Sequence, residues 1–160
     1  MATLAQRHTL GTLMDYLVAH EPRIHYAMLR PMRTRHIATL EELRRAIQSG
    51  AITMDCSESV TLLCKLAGLK DPNGLGYDGA GYTGTLLTHL PHYSDPAAAN
   101  VGGMVVFGPG TGEHVAMVRH PGSDPVLFSH GWEGGPQYVH LSVERRYHHP
   151  GVTMLSIANL

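Results

Sequence analysis

The sequence predicts an α+β domain, with helices in the first part of the chain and antiparallel strands in the second. Before Gly68, apolar residues recur at the three- and four-residue spacing of amphipathic helices. After Pro96, short apolar runs of β type alternate with Gly, Pro and Asp, which is typical of an antiparallel meander. No repeat or long linker interrupts the 160 residues, so we expect a single domain over residues 1–160.

Two helices are predicted in the N-terminal part, over residues of about 9–50. The first helix carries an apolar face, and Pro22 ends it because proline cannot continue a helix. That face consists of Leu10, Leu13, Met14, Leu17 and Val18. The second helix begins at Thr39, a residue type that caps helix N-termini, and ends at Ser49 and Gly50.

A third helix is predicted over residues of about 56–67, opened by Asp55 or Cys56 and followed by Gly68. A glycine-rich loop follows over residues 71–84. The β-meander is predicted over residues of about 101–157, with strands at 103–107, 114–118, 126–130, 138–141 and 152–157. The expected architecture is therefore a set of helices packed on a small antiparallel sheet.

The charge and hydropathy of the chain argue against two classes of partner. A net charge of −1 does not favour nucleic acid or an anionic membrane bound through bulk charge. No apolar run approaches the ~20 residues of a membrane span, and the N-terminal segment lacks the basic start and apolar stretch of a signal peptide. We expect a monomer made in the cytoplasm without a signal peptide, with no nucleic acid or membrane partner.

The two cysteines, Cys56 and Cys64, are predicted on one helix, about 12 Å apart, which is too far for a disulfide. Cys56 lies in the first turn, where unpaired backbone N–H groups and the helix dipole stabilise a thiolate. Because the thiolate is the attacking species, this is the position of a nucleophile. The alternative is a buried apolar filler, which fits Cys64 among leucines better than Cys56 between Asp55 and Ser57.

His114 and His130 are the candidates for a general base and for the group that orients it. His114 begins a predicted strand directly after a polar, glycine-rich turn, so its side chain can face a cleft. His130 ends the next predicted strand. If these strands are antiparallel neighbours, both histidines meet at one edge of the sheet. The alternative, a histidine that is merely hydrogen-bonded at a sheet edge, is common in a chain with 12 histidines.

Together these features resemble the NlpC/P60 peptidases, papain-like enzymes that cut the stem peptides of peptidoglycan. The resemblance spans residues of about 26–131, most of the chain. The residues that carry it are the upstream Tyr26, Asp55-Cys56-Ser57 at a helix start, the strand at 103–107 and the segment His114-Val-Ala-Met-Val. It implies a papain-like α+β fold with the nucleophile at a helix N-terminus. The catalytic triad that it implies is Cys56, His114 and His130.

The resemblance also implies how a substrate is held. Tyr26 matches a tyrosine that lines the site near the nucleophile, and Asp55 and Ser57 match positions that help to hold substrate. The chain departs from the family where Glu58 and Ser59 stand in place of a glycine and an aromatic or aliphatic residue.

The glycine-rich loop at 71–84 follows the predicted nucleophile helix and carries Tyr82. We expect Tyr82 to form a wall of the substrate groove, because a site for a small polar peptide combines aromatic walls with a few fixed polar groups. Asp55 is expected to receive a substrate amine, and Arg30 or Arg33 a carboxylate. The alternative is a plain surface loop.

The activity implied by the resemblance is peptidoglycan hydrolysis, through cleavage of an amide bond of the stem peptide by a Cys-His thiolate mechanism that needs no cofactor. The chain also resembles small cell-wall hydrolases encoded by phages of actinobacteria. We therefore expect it to act on the cell wall after release, or as part of a larger or virion-associated protein. The open alternatives are an amidase or acyl transferase on the same scaffold, and a non-catalytic module for cell-wall binding or virion assembly.

The histidines form no metal-binding motif in the sequence. His20 and His25 miss the H-E-x-x-H spacing by one residue, and Pro22 would break the helix that this motif requires. For His148 and His149 we identify no carboxylate at ligand spacing, so no metal site is predicted there. Zinc held by strand residues stays open, because strand-borne ligands leave little trace in a sequence. The candidates are His114, His120, His130 and His140.

Overall fold

The structure is a computed structural model that describes residues 1–131 and 134–160. Its α-helices are α1 (Leu4–Ala19), α2 (Leu40–Ser49), α3 (Cys56–Leu66), α4 (Thr83–His89) and α5 (Leu141–Glu144). Its strands are β1 (Ile24–His25), β2 (Ile52–Thr53), β3 (His92–Tyr93), β4 (Met104–Phe107), β5 (His114–His120), β6 (Val126–Ser129), β7 (Gln137–His140) and β8 (Val152–Leu155). The longer helices precede the main strands, and the fold is α+β, as predicted.

The strands after α4 form an antiparallel sheet with the order β3-β8-β4-β5-β6-β7. Strands β4 to β7 are consecutive neighbours, which confirms the predicted meander in that part of the chain. The last strand departs from it, because β8 lies between β3 and β4 instead of beside β7. Local apolar patterning identifies a strand but does not say which distant strand it pairs with. The short strands β1 and β2 form a separate parallel pair.

The three longest helices begin at capping side chains. Thr3 caps α1 and Thr39 caps α2; each threonine accepts the N–H three residues on, and that residue's side chain accepts the threonine N–H. Asp55 caps α3 by accepting the N–H of Glu58 at 2.7 Å. The predicted starts of the second and third helices are confirmed, whereas α1 begins earlier than predicted, at Leu4.

The sheet separates two apolar clusters. One side, which we call the helix face, packs against α3 and carries Met104, Val106, Val115, Met117 and Phe128. The opposite side, which we call the outer face, carries Val105, Phe107, Ala116, Val118 and Leu127, and Leu141 of α5 packs on it. Adjacent residues of one strand therefore enter different clusters, as the alternation of side chains along a strand requires.

The glycine-rich segment before α4 is ordered by one carboxylate. Asp71 accepts the backbone N–H groups of Asn73, Leu75 and Tyr77 at 2.9–3.0 Å. The sequence pattern does not predict α4, because its threonines and its glycine are poor helix formers. Among the helices of the described residues, none is long and apolar enough to cross a membrane.

Candidate functional site

Cys56 is the first residue of α3 and belongs to the cluster on the helix face of the sheet. Its thiol receives hydrogen bonds from the Tyr26 hydroxyl and from the backbone N–H of Val115 in β5. Only 5% of the residue is exposed. The structure thus places Cys56 at a helix N-terminus with Tyr26 beside it, as the sequence predicts.

The environment keeps the thiol of Cys56 protonated at neutral pH. Burial, and then the charge of Asp55, raise its pKa from 9.0 to about 11, against smaller opposing effects of the hydrogen bonds to the sulfur. Cys64 is fully buried on the same helix, and burial raises the pKa of its thiol still further. Cys56 is therefore the more acidic thiol of the two, but at neutral pH it becomes a thiolate only if a base accepts its proton.

His114 is the first residue of β5, and its side chain lies on the outer face, away from Cys56. Its ring stacks on Phe107, a member of the outer-face cluster. Its Nε2 lies 2.8 Å from Oγ of Ser129 and 3.3 Å from Oε1 of Glu144. The predicted pairing of His114 with Cys56 is therefore corrected, because side chains alternate along β5 and this one points away from α3.

His130 follows β6 and lies on the helix face, the same face that Cys56 contacts. Its Nε2 is 2.9 Å from the carbonyl oxygen of Met54. Its ring meets the ring of Tyr26 edge to face, with the centroids 5.4 Å apart. His114 and His130 therefore lie at one edge of the sheet, but on opposite faces of it.

Three observations bring His130 close to Cys56. Tyr26 contacts both the thiol and the imidazole, and Met54, whose carbonyl holds the imidazole, precedes Cys56 by two residues. Val115, whose N–H reaches the thiol, lies in β5, and β5 pairs with β6, the strand that ends directly before His130. A carbonyl oxygen only accepts, so Nε2 carries the proton of the neutral ring and Nδ1 is its basic nitrogen.

Asp55 and Ser57 flank Cys56 and are held by Arg30. The guanidinium of Arg30 contacts Oδ2 of Asp55 and Oγ of Ser57, each at 2.8 Å. Ser57 in turn donates to Oδ1 of Asp55 at 2.8 Å, and the two residues are only 2% and 3% exposed. The polar side-chain atoms of Asp55 and Ser57 have partners within the protein, and their contact with substrate stays a prediction. Their contribution is to fix the helix start that carries Cys56.

Tyr82 lies next to this network and is 45% exposed. The carbonyl of Gly81 accepts a hydrogen bond from Nε of Arg30 at 2.8 Å. The glycine-rich segment therefore reaches the same arginine that holds Asp55. A role of Tyr82 in the wall of a substrate groove stays a prediction.

A second polar cluster, which the sequence pattern does not reveal, lies on the outer face. We call it the outer cluster, and it consists of His114, Ser129, Glu144 and His148. Oε1 of Glu144 lies 3.3 Å from Nε2 of His114 and 3.3 Å from Nε2 of His148, and Ser129 donates to it at 3.1 Å. The interpretation that His148 lacks a carboxylate at ligand spacing is wrong, because Glu144 precedes it by four residues. That i, i+4 spacing is the signal that could have found the pair.

His114, the more buried of the two histidines in the outer cluster, is neutral at physiological pH. Burial lowers the pKa of His114 from 6.5 to about 3, with smaller contributions from His148 and His130. The rings of Phe107 and His148 lie against this imidazole, and only 4% of the residue is exposed.

A scan against models of known protein families and a search of curated proteins found no match to this chain. The chain is an α+β domain with a buried cysteine at a helix N-terminus and a histidine on the same face of the sheet.

Proposed function

We propose that this chain is a papain-like cysteine hydrolase in which Cys56 is the nucleophile and His130, instead of His114, is the general base. The observation that carries the proposal is the contact of one side chain, Tyr26, with both the thiol of Cys56 and the ring of His130. The resemblance of residues 55–57 to the NlpC/P60 peptidases supports the same class.

The chemistry starts with a proton transfer. Nδ1 of His130 takes the proton of the Cys56 thiol, and the thiolate attacks the carbonyl carbon of an amide. The carbonyl oxygen of Met54 accepts a hydrogen bond from Nε2–H of His130 and so orients and stabilises the imidazolium. In other catalytic triads a carboxylate or an amide has this role. The backbone N–H of Cys56, the first residue of α3, holds the negatively charged oxygen of the tetrahedral intermediate, since the N–H groups of Glu58 and Ser59 already bond to Asp55. The imidazolium then protonates the leaving amine, and a water deprotonated by Nδ1 releases the acyl group from sulfur.

Because the pKa of Cys56 is raised, the thiolate forms only if a base accepts the thiol proton. With a pKa of about 11 the thiol stays protonated at pH 7, so the nucleophile forms only when His130 accepts its proton. Tyr26 and Val115 already donate hydrogen bonds to the sulfur. Both bonds become stronger when the sulfur is negative, which lowers the free energy of the ion pair.

The proposed substrate is the stem peptide of peptidoglycan, cut at an amide bond. The resemblance supplies this assignment, and the exposed ring of Tyr82 beside the Arg30 network suits a groove for a small polar peptide. An amidase or an acyl transferase would use the same residues and would differ in the bond cut or in the acceptor. The proposed place of action is the cell wall, reached after release or as part of a larger or virion-associated protein.

Digestion of purified sacculi tests the proposal. We expect the wild-type protein to release fragments with a new amine and a new carboxylate, identified by mass spectrometry, and Cys56→Ala to release none. Cys64→Ala is the matched control, because it removes the other thiol of α3 and should leave the products unchanged. Sacculi that stay intact with the wild-type protein, or that Cys56→Ala cuts equally well, contradict the proposal.

A non-catalytic module that binds the cell wall or a virion component is the second candidate. The observation that favours it is the state of the thiol, which is 5% exposed and has a pKa of about 11. Such a module would sediment with sacculi in the wild-type and Cys56→Ala forms alike, and neither form would release fragments. Release of fragments that depends on Cys56 excludes this candidate.

A further inference from the structure

We infer that the outer cluster is a binding site for a divalent transition-metal ion, preferably Zn²⁺, held by Nε2 of His114, Oε1 of Glu144 and Nε2 of His148. One ligand atom from each residue lies within 4.8 Å of the other two. Two histidines and a glutamate are a common ligand set for zinc. The site is on the opposite face of the sheet from Cys56, so it is independent of the proposed hydrolase chemistry and goes beyond it.

The distances within the cluster fit shared ligation of an ion. Oε1 of Glu144 is 3.3 Å from Nε2 of each histidine, which is longer than the about 2.7–2.9 Å of a charge-assisted hydrogen bond. Two ligands of a tetrahedral zinc ion, each about 2.0–2.1 Å from the metal, are about 3.3–3.4 Å apart. The two imidazole rings are nearly parallel, with an interplanar angle of 8° and centroids 5.1 Å apart, and Nε2 of each ring lies 3.3 Å from the same oxygen.

The carboxylate of Glu144 is buried, and none of its partners among the described residues is a permanently charged cation. The residue is 3% exposed, and in the part of the chain that the structure describes its carboxylate contacts the imidazoles of His114 and His148, not a lysine or an arginine. Buried carboxylates are paired or coordinate metals, because an uncompensated buried charge is strongly destabilising. A divalent ion supplies the missing positive charge and binds neutral imidazole at the same time.

An ion can enter the cluster from the surface. The side chain of His148 is 17% exposed and lines a cavity of about 330 Å³ together with Arg145, His149 and Val152. The cavity leaves room for a water molecule as a further ligand, which three-residue zinc sites commonly hold. Oε2 of Glu113 lies 4.0 Å from Nδ1 of His148, on the side from which carboxylates support metal-bound histidines.

Ser129 fits the inner side of such a site. Its Oγ is 2.8 Å from Nε2 of His114 and donates to Oε1 of Glu144. Metal binding requires Nε2 of both histidines to be unprotonated, with the ring proton on Nδ1. Ser129 would then keep its hydrogen bond to Glu144 and orient the carboxylate toward the ion.

Titration of the full, untagged chain with zinc tests the inference. The protein is stripped with a chelator, exchanged into clean buffer, and titrated with ZnCl₂ by calorimetry and with CoCl₂ by visible spectroscopy. A Cys56→Ser background is used throughout, because a thiolate also binds zinc. We expect one ion per chain with micromolar or tighter affinity, a higher melting temperature with zinc, and the Co²⁺ absorption of a low-coordinate site.

Two neighbouring histidines provide a matched pair of variants. His148→Ala removes a ligand and should weaken zinc binding by more than about 100-fold, the upper end of the effect of a supporting residue. His149→Ala should bind as the background protein does, because His149 is exposed and contacts Glu113 instead of Glu144. Circular dichroism identifies any variant that fails to fold.

The inference is overturned if the background protein shows neither heat of binding nor a zinc-dependent melting temperature. It is also overturned if folded His148→Ala binds zinc as tightly as the background protein, or if His149→Ala loses binding equally. The titration of the background protein decides the question even if His148→Ala does not fold.

Discussion

The two faces of the central sheet each bury a histidine at the same edge, yet these histidines meet different chemistry. On the helix face, His130 lies beside Tyr26, which contacts the thiol of Cys56. On the outer face, His114 lies beside the carboxylate of Glu144. The partner of a strand histidine is therefore decided by the face on which its side chain lies, and not by its position along the strand.

A single residue along β5 separates the two environments. The backbone N–H of Val115 reaches the sulfur of Cys56, while the side chain of the preceding His114 stacks on Phe107. Side chains alternate with a period of two, so a shift of β5 by one residue would exchange the two faces. The faces also differ in charge, since Arg30 neutralises Asp55 next to the thiol, whereas Glu144 is paired with histidines.

Removing the thiol of Cys56 on the helix face should reduce digestion of sacculi most, and removing the hydroxyl of Ser129 on the outer face is the matched comparison. Ser129 contacts His114 and Glu144, so the outer face has the residue types of a serine triad. Ser129 is fully buried, so a substrate cannot reach its hydroxyl. Both this hydroxyl and the carboxylate of Glu144 lie against the same nitrogen of His114, Nε2. We expect Cys56→Ala to lower the rate of sacculus digestion by more than about 10³-fold and Ser129→Ala to leave it within about 10-fold. Digestion followed by mass spectrometry measures both, and the reverse result would place the proposed active site on the outer face instead.

The second comparison is between His130 and His114, whose removal should lower kcat/KM to different extents. His130→Ala should lower kcat/KM by about 10²–10⁴-fold, the usual contribution of a general base. His114→Ala should keep kcat/KM within about 10-fold, because the side chain is on the other face of the sheet from Cys56. Kinetics on a defined muropeptide, with circular dichroism to confirm folding, give the ranking. A greater loss in folded His114→Ala than in His130→Ala would restore the pairing that the sequence predicts.

The neutral His114 should make the stability of the fold dependent on pH. Its pKa is about 3 in the folded chain and 6.5 in its unperturbed form. Between these values the unfolded chain binds a proton there that the folded chain does not, so this contribution is complete above pH 6.5 and is lost as the pH falls toward 3. The part lost between pH 7 and pH 5 is about 2 kcal/mol in the free energy of unfolding. Urea unfolding at both pH values, with a chelator present, measures it.

A pair of glutamine variants isolates the contribution of that histidine. His114→Gln should remove about 2 kcal/mol from the pH dependence, relative to the wild-type protein. His149→Gln is the control and should keep the full dependence, since its ring is exposed at the surface. An unchanged pH dependence in His114→Gln would mean that the folded outer cluster accepts the proton.

Of these substitutions, the removal of Arg30, the cation of the helix face, should have the weakest consequence, and it should affect stability. Arg30→Ala leaves the buried carboxylate of Asp55 without its guanidinium and should lower the free energy of unfolding by about 1–2 kcal/mol. Arg33→Ala, a nearby exposed arginine, should change it by less than about 0.5 kcal/mol. Urea unfolding at pH 7 compares the two. Equal effects would show that Arg30 contributes no more to stability than an ordinary surface charge.

Much of the secondary structure follows from local sequence signals. Thr39 and Asp55 cap the second and third helices where predicted, and four consecutive strands of the sheet lie where the apolar runs predict them. Helix α4 cannot be predicted from local sequence signals, because Thr and Gly have low helix propensity and the helix is stabilised by the surrounding structure. The position of β8 in the sheet cannot be predicted from local signals either, since β8 pairs with β4, a segment far away in the chain.

The position of Cys56 at the start of a buried helix follows from the sequence alone, because Asp55 is a capping residue and an apolar run follows it. The sequence does not say which histidine shares a face with that thiol. Strand β5 is apolar at Val115 and Ala116 alike, so no alternation of polar and apolar residues marks one face as the inner one. Only the packing of α3 on one side of the sheet and α5 on the other decided it, and the same packing brought Glu144 to His114.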